Sequence, residues 1–347
     1  MRRVSVLAFA TARQQHRQER QGEQHDASVH DQAYGRGVRA VFLLLLLSFL
    51  VLIANAAAAP PRPVARIVTG TAPCGIAAGL GSVWVAVYGT GKLVRIDPRS
   101  NRVVRRIPVG RGICQLAIAA GSVWAASDKT NVLYRLSPRS RRVVARIPVG
   151  AWPADLEFAF RSLWVSAYQQ GKVARIDTRT NRVIRIYNVG GNPAGLARAG
   201  DSLWVAFGRQ GTSLGRLDPA TGALTKTGIG HTGPGFLTFA AGSLWTTTAD
   251  GYAVRVDPAT RRVVATFAIP GTPAEVATAP DGKIWVAEKE RNTVTRIDPL
   301  TNSVVDVTAA GRGAFSIAVA AGDMWVTSFA GVDVWRFRDS GQRVLRP

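Results

Sequence analysis

Seven tryptophans recur at almost constant spacing, and this feature constrains the fold more than any other. They are Trp84, Trp124, Trp164, Trp204, Trp245, Trp285 and Trp325. The intervals between them are 40, 40, 40, 41, 40 and 40 residues. Such a period is typical of proteins built from stacked or radially arranged repeats. The chain of 347 residues is therefore predicted to hold one large repeat domain rather than two unrelated domains.

Turn residues divide each repeat into four short segments rich in Val, Ile and Trp. In the third repeat the predicted strands are 155–160, 162–168, 172–177 and 182–189. Helical repeats of similar period need longer amphipathic runs free of Gly and Pro. The pattern instead predicts an all-β fold, a seven-bladed β-propeller of four-stranded antiparallel blades. In that fold the tryptophans are core residues wedged between blades.

The two ends of the repeat region suggest how the ring closes. Segment 63–70, PVARIVTG, matches the fourth strand of a repeat such as 143–150, VVARIPVG, but precedes the first complete repeat. It is predicted to complete the last blade, whose own strands are 316–319, 324–328 and 332–337. The alternative fourth strand is 342–347, QRVLRP, which is cut short by proline.

The first 59 residues lack the repeat. Residues 1–39 are polar and rich in Gln and His, which predicts either a disordered leader or sequence upstream of a true translation start near Val38. Residues 40–59 carry the apolar run VFLLLLLSFLVLI, preceded by Arg36 and Arg39 and followed by alanines. This pattern predicts an export signal, with an uncleaved membrane anchor as the alternative. The propeller is assigned to 60–347, and the protein is expected to be extracytoplasmic, either secreted or periplasmic.

The chain is strongly basic. Its net charge is +22, of which +19 follows Arg39, and 38 of the 44 basic residues are arginine. This charge predicts attraction to anionic envelope polymers or phospholipid headgroups. Nucleic acid is not expected as a partner, because export would separate the protein from nucleic acid. The sequence also contains no stripe of basic residues interleaved with aromatic residues.

The repeat itself, G-S-L-W-V-A followed by R-I-D-P-x-T-x-x-V and V-G-x-P, resembles the YVTN or YncE-type bacterial propellers. It is also similar to the virginiamycin B (streptogramin) lyase group. The resemblance covers 63–347 and is carried mainly by residues that build blades. The aspartates of the repeated R-I-D-P are predicted to form turns. They are Asp97, Asp177, Asp218, Asp257 and Asp298.

The resemblance to the lyase group implies a histidine base after a proline, a glutamate three residues after a tryptophan, and acidic residues that help bind Mg²⁺. In the corresponding repeat, Glu288 follows Trp285 at that spacing, but Ala274 stands where the histidine is expected. Alanine is unable to act as a general base. His231, in a loop, is the only histidine after the apolar run. Weak catalytic candidates are Glu275, Glu288 and His231.

Loops on one face of the propeller vary between repeats, whereas the turns on the other face are monotonous. The variable loops are those that lead into the first strand and those between the second and third strands, and together they define the first face. Idiosyncratic loops on a rigid scaffold are where binding usually resides. The candidate ligand-binding residues on this face are Tyr88, Gln115, Asp128, Asp155, Tyr168, Glu275 and Glu288.

Three carboxylates are candidates for a metal site near the axis. Asp155, Glu157 and Glu275 offer the oxygen ligands that Ca²⁺ or Mg²⁺ prefers. The alternative is that these acids are solvated or pair with Arg198 and Arg312. No cofactor is required by the sequence.

The two cysteines, Cys74 and Cys114, both lie ten residues before their tryptophans and so occupy the same place in adjacent blades. They are a candidate disulfide, with two buried thiols as the alternative.

These features together predict an exported propeller that binds a small molecule or an envelope protein through its variable face without catalysis. The alternative is a virginiamycin B lyase-like C–O lyase, or a metal-dependent hydrolase, acting at the mouth of the channel.

Overall fold

The computed structural model describes residues 60–338. The predicted leader, the export signal or anchor, and the alternative closing strand 342–347 lie outside the described residues. Within 60–338, no helix is long and apolar enough to cross a membrane.

In residues 60–338, twenty-eight strands form seven four-stranded antiparallel sheets, and each of blades 1 to 6 is a run of four consecutive strands. Blade 1 contains β2 (Pro73–Gly79), β3 (Ser82–Val87), β4 (Lys92–Asp97) and β5 (Arg102–Pro108). Blade 2 contains β6 (Ile113–Ala119), β7 (Ser122–Ser127), β8 (Val132–Ser137) and β9 (Arg142–Pro148). Blade 3 contains β10 (Pro153–Ala159), β11 (Ser162–Ala167), β12 (Lys172–Asp177) and β13 (Arg182–Asn188), with a 3₁₀ turn at Tyr168–Gln170.

The remaining blades repeat this order. Blade 4 contains β14 (Pro193–Ala199), β15 (Ser202–Phe207), β16 (Ser213–Leu217) and β17 (Leu224–Gly228). Blade 5 contains β18 (Pro234–Ala240), β19 (Ser243–Thr248), β20 (Tyr252–Asp257) and β21 (Arg262–Ala268). Blade 6 contains β22 (Pro273–Thr278), β23 (Ile284–Glu288), β24 (Thr293–Asp298) and β25 (Ser303–Ala309). The predicted seven-bladed β-propeller is confirmed.

Blade 7 is completed by the N-terminal strand, as predicted. Its strands are β26 (Ala314–Ala320), β27 (Asp323–Ser328), β28 (Asp333–Arg338) and β1 (Arg62–Val68). β1 runs antiparallel to β28, with Arg66 opposite Trp335 and Ile67 opposite Val334. The first and last strands of the described chain therefore share one sheet, and this pairing closes the ring.

The seven repeat tryptophans are the largest buried side chains, each at most 1% exposed. In five blades the indole N–H donates to the carbonyl oxygen five residues earlier, as Trp124 does to Ala119 at 3.1 Å. The wedge position therefore buries the ring and also satisfies its polar atom. Trp285 differs, because its N–H has no partner within residues 60–338.

Arginines of the third strands join neighbouring blades on the second face, opposite the variable loops. Arg135 donates to Ser122 at 2.8 Å, lies over the ring of Trp124, and reaches the carbonyl oxygen of Thr178 in the next blade at 2.7 Å. The predicted turn aspartates are confirmed there, since Asp177 accepts the backbone N–H of residue 179 at 2.8 Å. Two equivalent arginines that reach a turn of the next blade are Arg255 and Arg336.

The single interval of 41 residues has a local explanation. Trp84 pairs with Arg95, whereas Trp204 pairs with Arg216, which is one residue further along the chain. The extra residue therefore lies between β15 and β16, in a first-face loop. This irregular loop lies on the first face, where the sequence predicts ligand binding.

Candidate functional site

The two kinds of variable loop meet on one face in every blade. In blade 3 the backbone N–H of Tyr168, after β11, donates to the carbonyl oxygen of Trp152, before β10, at 3.0 Å. The same backbone bond recurs in the other six blades, for example from Gly208 to Asn192 at 2.8 Å. The loops that vary in sequence are thus held by constant backbone contacts.

A cavity of about 640 Å³ opens on this face near the axis and is called here the channel-mouth cavity. Its walls come from blades 3 to 7, and it is lined by Trp152, Ala154, Asp155, Tyr168, Gln169, Ala194, Gly195, Arg209, Gly235, Phe236, Lys289 and Phe315.

Aromatic rings form two sides of the channel-mouth cavity. The rings of Trp152 and Tyr168 lie 5.9 Å apart between centroids on blade 3. Phe236 of blade 5 meets Phe315 of blade 7 edge-to-face at 5.5 Å. Burial raises the pKa of the Tyr168 hydroxyl, so this group remains a neutral donor well above neutral pH. Rigid rings with polar edges suit a ligand that carries its own ring system.

Two cations reach the same space. The Lys289 ammonium lies 5.1 Å from the centroid of the Phe315 ring, and burial lowers the pKa of this lysine. Arg209 lies in the loop with the extra residue and adopts a left-handed backbone, with φ of 60°. Within residues 60–338, every ion pair is formed by residues other than Arg209 and Lys289. The cavity therefore presents two unpaired positive charges beside aromatic walls.

Asp155 lines the cavity and joins blades 3 and 4. Its carboxylate accepts the backbone N–H groups of Leu156 and of Leu196 in the next blade, both at 2.8 Å. Burial raises the pKa of Asp155 to about 7. Burial, together with the negative charge of Asp155, raises the pKa of Glu157 to about 7 as well.

Glu275 plays a similar part between blades 6 and 7. It makes a close hydrogen bond with the hydroxyl of Ser316 and accepts the backbone N–H of Ile317 at 3.2 Å. Burial raises its pKa to about 8, the hydrogen bond from Ser316 opposes this shift, and the charge of Asp155 adds to it. The charge of Asp155 therefore acts on both Glu157 and Glu275 and disfavours their ionised forms.

The residues that the structure describes contain no group of three or more His, Cys, Asp or Glu placed to hold a metal ion. The three channel carboxylates are therefore not gathered as a ready set of ligands. Binding of Ca²⁺ or Mg²⁺ by Asp155, Glu157 and Glu275 stays a prediction.

Glu288 is a loop anchor in this structure and does not line the channel-mouth cavity. It is 1% exposed. Its carboxylate accepts the backbone N–H groups of Thr272 at 2.8 Å, Glu290 at 2.7 Å and Arg291. Serine takes the same place at the end of the second strand in blade 2, where Ser127 accepts the N–H of Thr130. These contacts give the side chain a structural role that the spacing to Trp285 does not reveal.

The position that carries a base in the resembled lyases is buried here. Ala274 is 0% exposed, and its carbonyl oxygen accepts the hydroxyl of Thr247 at 2.7 Å. His231 lies outside the lining of the cavity, pairs with Asp250 at 3.1 Å and stacks on Tyr252. Neither residue brings a base to the cavity.

The other predicted ligand-binding residues lie on blades 1 and 2, outside the lining of the cavity. The Tyr88 hydroxyl donates to Asp128 at 3.1 Å, so these two residues are partners of each other. Gln115 is half-buried at the inner-strand position that Asp155 occupies in blade 3. Of the seven ligand-binding candidates, Asp155 and Tyr168 line the cavity.

Cys74 and Cys114 are joined by a disulfide, with their Cα atoms 5.1 Å apart. The bond connects β2 to β6, the inner strands of blades 1 and 2, beside the channel.

Several lining residues were not candidates in the sequence analysis. Trp152, Arg209 and Lys289 belong to the variable loops. The sequence therefore predicts that they lie on the first face, but no sequence signal identifies these three side chains as lining residues. Phe236 and Phe315 are aromatic residues on inner strands, which a sequence pattern does not separate from core.

The comparisons with solved structures agree with this architecture. A streptogramin B lyase structure aligns with a TM-score of 0.69 at 17% identity, covering 80% of this chain and 96% of that one. A virginiamycin B lyase from Staphylococcus aureus aligns with a TM-score of 0.70 at 17% identity over 79% of this chain and 98% of that one.

A catalytically inactive histidine-to-alanine variant of the Staphylococcus aureus lyase, solved with quinupristin, aligns with a TM-score of 0.68 at 17% identity, over 81% of this chain and 98% of that one. Hydrazine synthase from Kuenenia stuttgartiensis aligns with a TM-score of 0.72 at 13% identity, covering 79% of this chain and 97% of that chain. No protein-family model and no curated protein matches the chain. At these identities the likeness shows the β-propeller fold that this chain shares with virginiamycin B lyase.

Proposed function

We propose that this protein is an exported, non-catalytic binding module whose ligand occupies the channel-mouth cavity. The observation that carries the proposal is the combination of aromatic walls with the unpaired cations Arg209 and Lys289 in a cavity of about 640 Å³. That volume lies in the range of small-molecule sites. The ligand class that fits is a small molecule with an aromatic or other apolar ring and an anionic group.

The absence of a histidine among the lining residues favours binding over catalysis. The candidate position for the base is the buried Ala274, and the only histidine of the repeat region pairs with Asp250 away from the cavity. The similar Staphylococcus aureus lyase was solved with quinupristin as a catalytically inactive histidine-to-alanine variant, which motivates including quinupristin among the ligands to be tested. A divalent cation is not required by the proposal.

The alternative is a virginiamycin B lyase-like C–O lyase that acts at the same cavity. The observation that favours it is the fold likeness to two lyase structures. The carboxyl of Asp155 lines the cavity and has a pKa of about 7, so it is the group able to exchange a proton there. Glu275, with a pKa of about 8, lies outside the lining. Turnover of quinupristin by the purified chain, abolished by Asp155→Asn, would establish this alternative and overturn the first proposal.

The test of the binding proposal is a thermal-shift screen of the full chain with aromatic carboxylates, quinupristin, Ca²⁺ and Mg²⁺. A ligand that binds the native state raises apparent stability. For the best binder, Phe315→Ala and Arg209→Gln are each expected to weaken affinity by about tenfold, because each removes one side of the cavity.

The matched controls are Phe239→Ala and Arg261→Gln, which change exposed residues outside the cavity lining and are expected to leave affinity unchanged. Equal losses in the cavity variants and the controls would contradict the proposed site.

A further inference from the structure

The positive charge of this protein is concentrated on three adjacent blades. Blades 1 to 3, residues 73–188, contain nineteen basic and five acidic residues, a net charge of +14. Residues 193–338, which supply blades 4 to 6 and three strands of blade 7, contain fourteen basic and twelve acidic residues, a net charge of +2. The repeats share one fold, so folding alone does not account for this difference.

Ion pairing has the opposite distribution. Within residues 60–338, every pair closer than 4.0 Å lies between Asp201 and Arg336. In blade 6, Arg296 is buried against Asp306, and Lys283 binds Asp298 at 2.8 Å. Blades 4 to 7 neutralise cations internally, whereas the cations of blades 1 to 3 have no acidic partner at that distance among the residues that the structure describes.

The unpaired cations recur at matching positions on the second face and the outer rim. Arg99, Arg139 and Arg179 lie in the turns between the third and fourth strands, and Arg102, Arg142 and Arg182 begin the fourth strands. All six are exposed. These six residues are called here the basic arc.

Other blades show that the turn does not need these arginines. Blade 4 has Ala220 and Ala223 at the two matching positions, and blade 6 has Leu300 and Ser303. Their turns keep the aspartate contact, since Asp218 accepts the N–H of Ala220 at 2.7 Å. The arginines of the basic arc are therefore dispensable for the turn and available to a partner.

We infer that the basic arc is a docking surface for a linear, non-nucleic polyanion of the envelope, one that carries phosphate groups along a flexible chain. Arginine guanidinium groups bind phosphate with paired hydrogen bonds. Repeated pairs of arginine on successive blades match a ligand with repeated charges. A flexible chain can follow the curve of three blades around the rim.

The surroundings of the basic arc favour this polyanion over nucleic acid and over a lipid bilayer. The exposed large apolar residues on the fourth strands of these blades are Val104, Val144, Ile184 and Ile186. None is aromatic, so the arc has no platform on which bases stack. A flat bilayer facing the second face would also meet blades 4 to 6, which carry little net charge.

The test measures binding of the full chain to poly(glycerol phosphate) at about 50 and 200 mM salt, where release of counterions predicts a marked fall in affinity. Arg102→Gln, Arg142→Gln and Arg182→Gln combined are expected to weaken binding by about tenfold, from three exposed charge contacts. The matched control combines Arg261→Gln, Arg262→Gln and Arg312→Gln, which removes the same charge elsewhere and is expected to change affinity less than twofold.

Three results would overturn the inference. Equal weakening by both triple variants would show attraction to net charge rather than to the arc. Tighter binding to single-stranded or double-stranded DNA would make nucleic acid the partner. Tighter binding to phosphatidylglycerol vesicles would make it a lipid surface. Near-native melting temperatures of both triple variants confirm that any loss of binding is not a loss of fold.

Discussion

The carboxyl group of Glu275 makes hydrogen bonds between two blades in a buried place that disfavours its charge. It links blades 6 and 7 through Ser316 and Ile317, which favours a fixed position, yet it lies in a channel where burial penalises its charge. Its pKa of about 8, against an ordinary value of 4.5, means that the native state holds this proton more tightly than the unfolded chain does. The stabilising contribution is therefore present in acid and is lost as pH rises from 4.5 toward about 8.

We expect Glu275→Gln to remove part of this pH dependence, because the amide imitates the protonated acid. Between about pH 5 and 8.5, the wild-type chain should lose on the order of 1 kcal/mol of unfolding free energy relative to the variant. The expected change in unfolding free energy is small because the Glu275 side chain is only partly buried and solvent screens its charge. Chemical denaturation at several pH values measures the difference.

The control for this prediction is Glu290→Gln. Glu290 is exposed in the neighbouring loop, so its replacement is expected to leave the pH profile parallel to that of the wild type. A Glu275→Gln profile that also runs parallel would contradict the raised pKa.

Glu288 shows where prediction from spacing is misleading. Its distance from Trp285 matches the resembled lyases, but the structure surrounds its carboxylate with three backbone N–H groups and 1% exposure. The interaction depends on the loop before β22 approaching the loop after β23, which is tertiary information. Serine and threonine at the same register in other blades are the sequence signal that could have indicated an anchoring role.

The fourth strand of each blade is an edge strand that faces solvent. Bulges in these strands protect the exposed edges from pairing with another chain. In blades 1, 2 and 3 the register shifts once between the third and fourth strands, which leaves Val104, Val144 and Ile184 as the extra residues. Bulges twist an edge and hinder pairing with another chain. The flanking arginines add charge repulsion, which also discourages edge-to-edge association.

The disulfide connects the inner strands β2 and β6, and its removal should measure what it contributes. Linking residues 40 apart in sequence restricts the unfolded chain, which predicts a loss of about 4 kcal/mol in unfolding free energy for Cys74→Ser combined with Cys114→Ser. Chemical denaturation of the oxidised wild type and the double variant gives the difference.

Reduced wild-type protein is the internal control for the disulfide and should unfold close to the double variant. Two titratable thiols in denatured, unreduced wild-type protein would contradict the bond.

Closure of the ring by β1 determines how the whole molecule tolerates truncation. β1 pairs with β28 along its length, and Ile67 is buried in the core shared by blades 7 and 1. Deleting 62–68 is expected to lower the melting temperature strongly, because blade 7 loses its fourth strand and exposes that core. Deleting 342–347 is the matched test of the alternative and should leave the melting temperature unchanged, because β1 already occupies the edge of β28.

Thermal unfolding of the two truncated chains decides between the closures. A large destabilisation by the C-terminal deletion, with tolerance of the N-terminal one, would assign closure to the other end.

The number of blades, the four strands in each and the turn aspartates follow from the sequence alone, and the sequence also favours β1 as the closing strand. The strands depend on local patterns repeated seven times and the turn aspartates on a pattern present in five repeats, so each copy supports the others. The regular tryptophans and R-I-D-P turns specify the scaffold because burial in a wedge and turn geometry act within one repeat or between identical neighbours.

The three-dimensional arrangement of the blades is needed to know which side chains share the channel-mouth cavity and which are engaged elsewhere. Arg209, Lys289 and Phe315 are distant in sequence, and they meet because blades 4, 6 and 7 converge at one axis. The structural roles of Glu288 and Ala274 depend on contacts across loops and between blades. Periodicity predicts what every blade has in common, whereas a site on the axis is built from the positions at which blades differ.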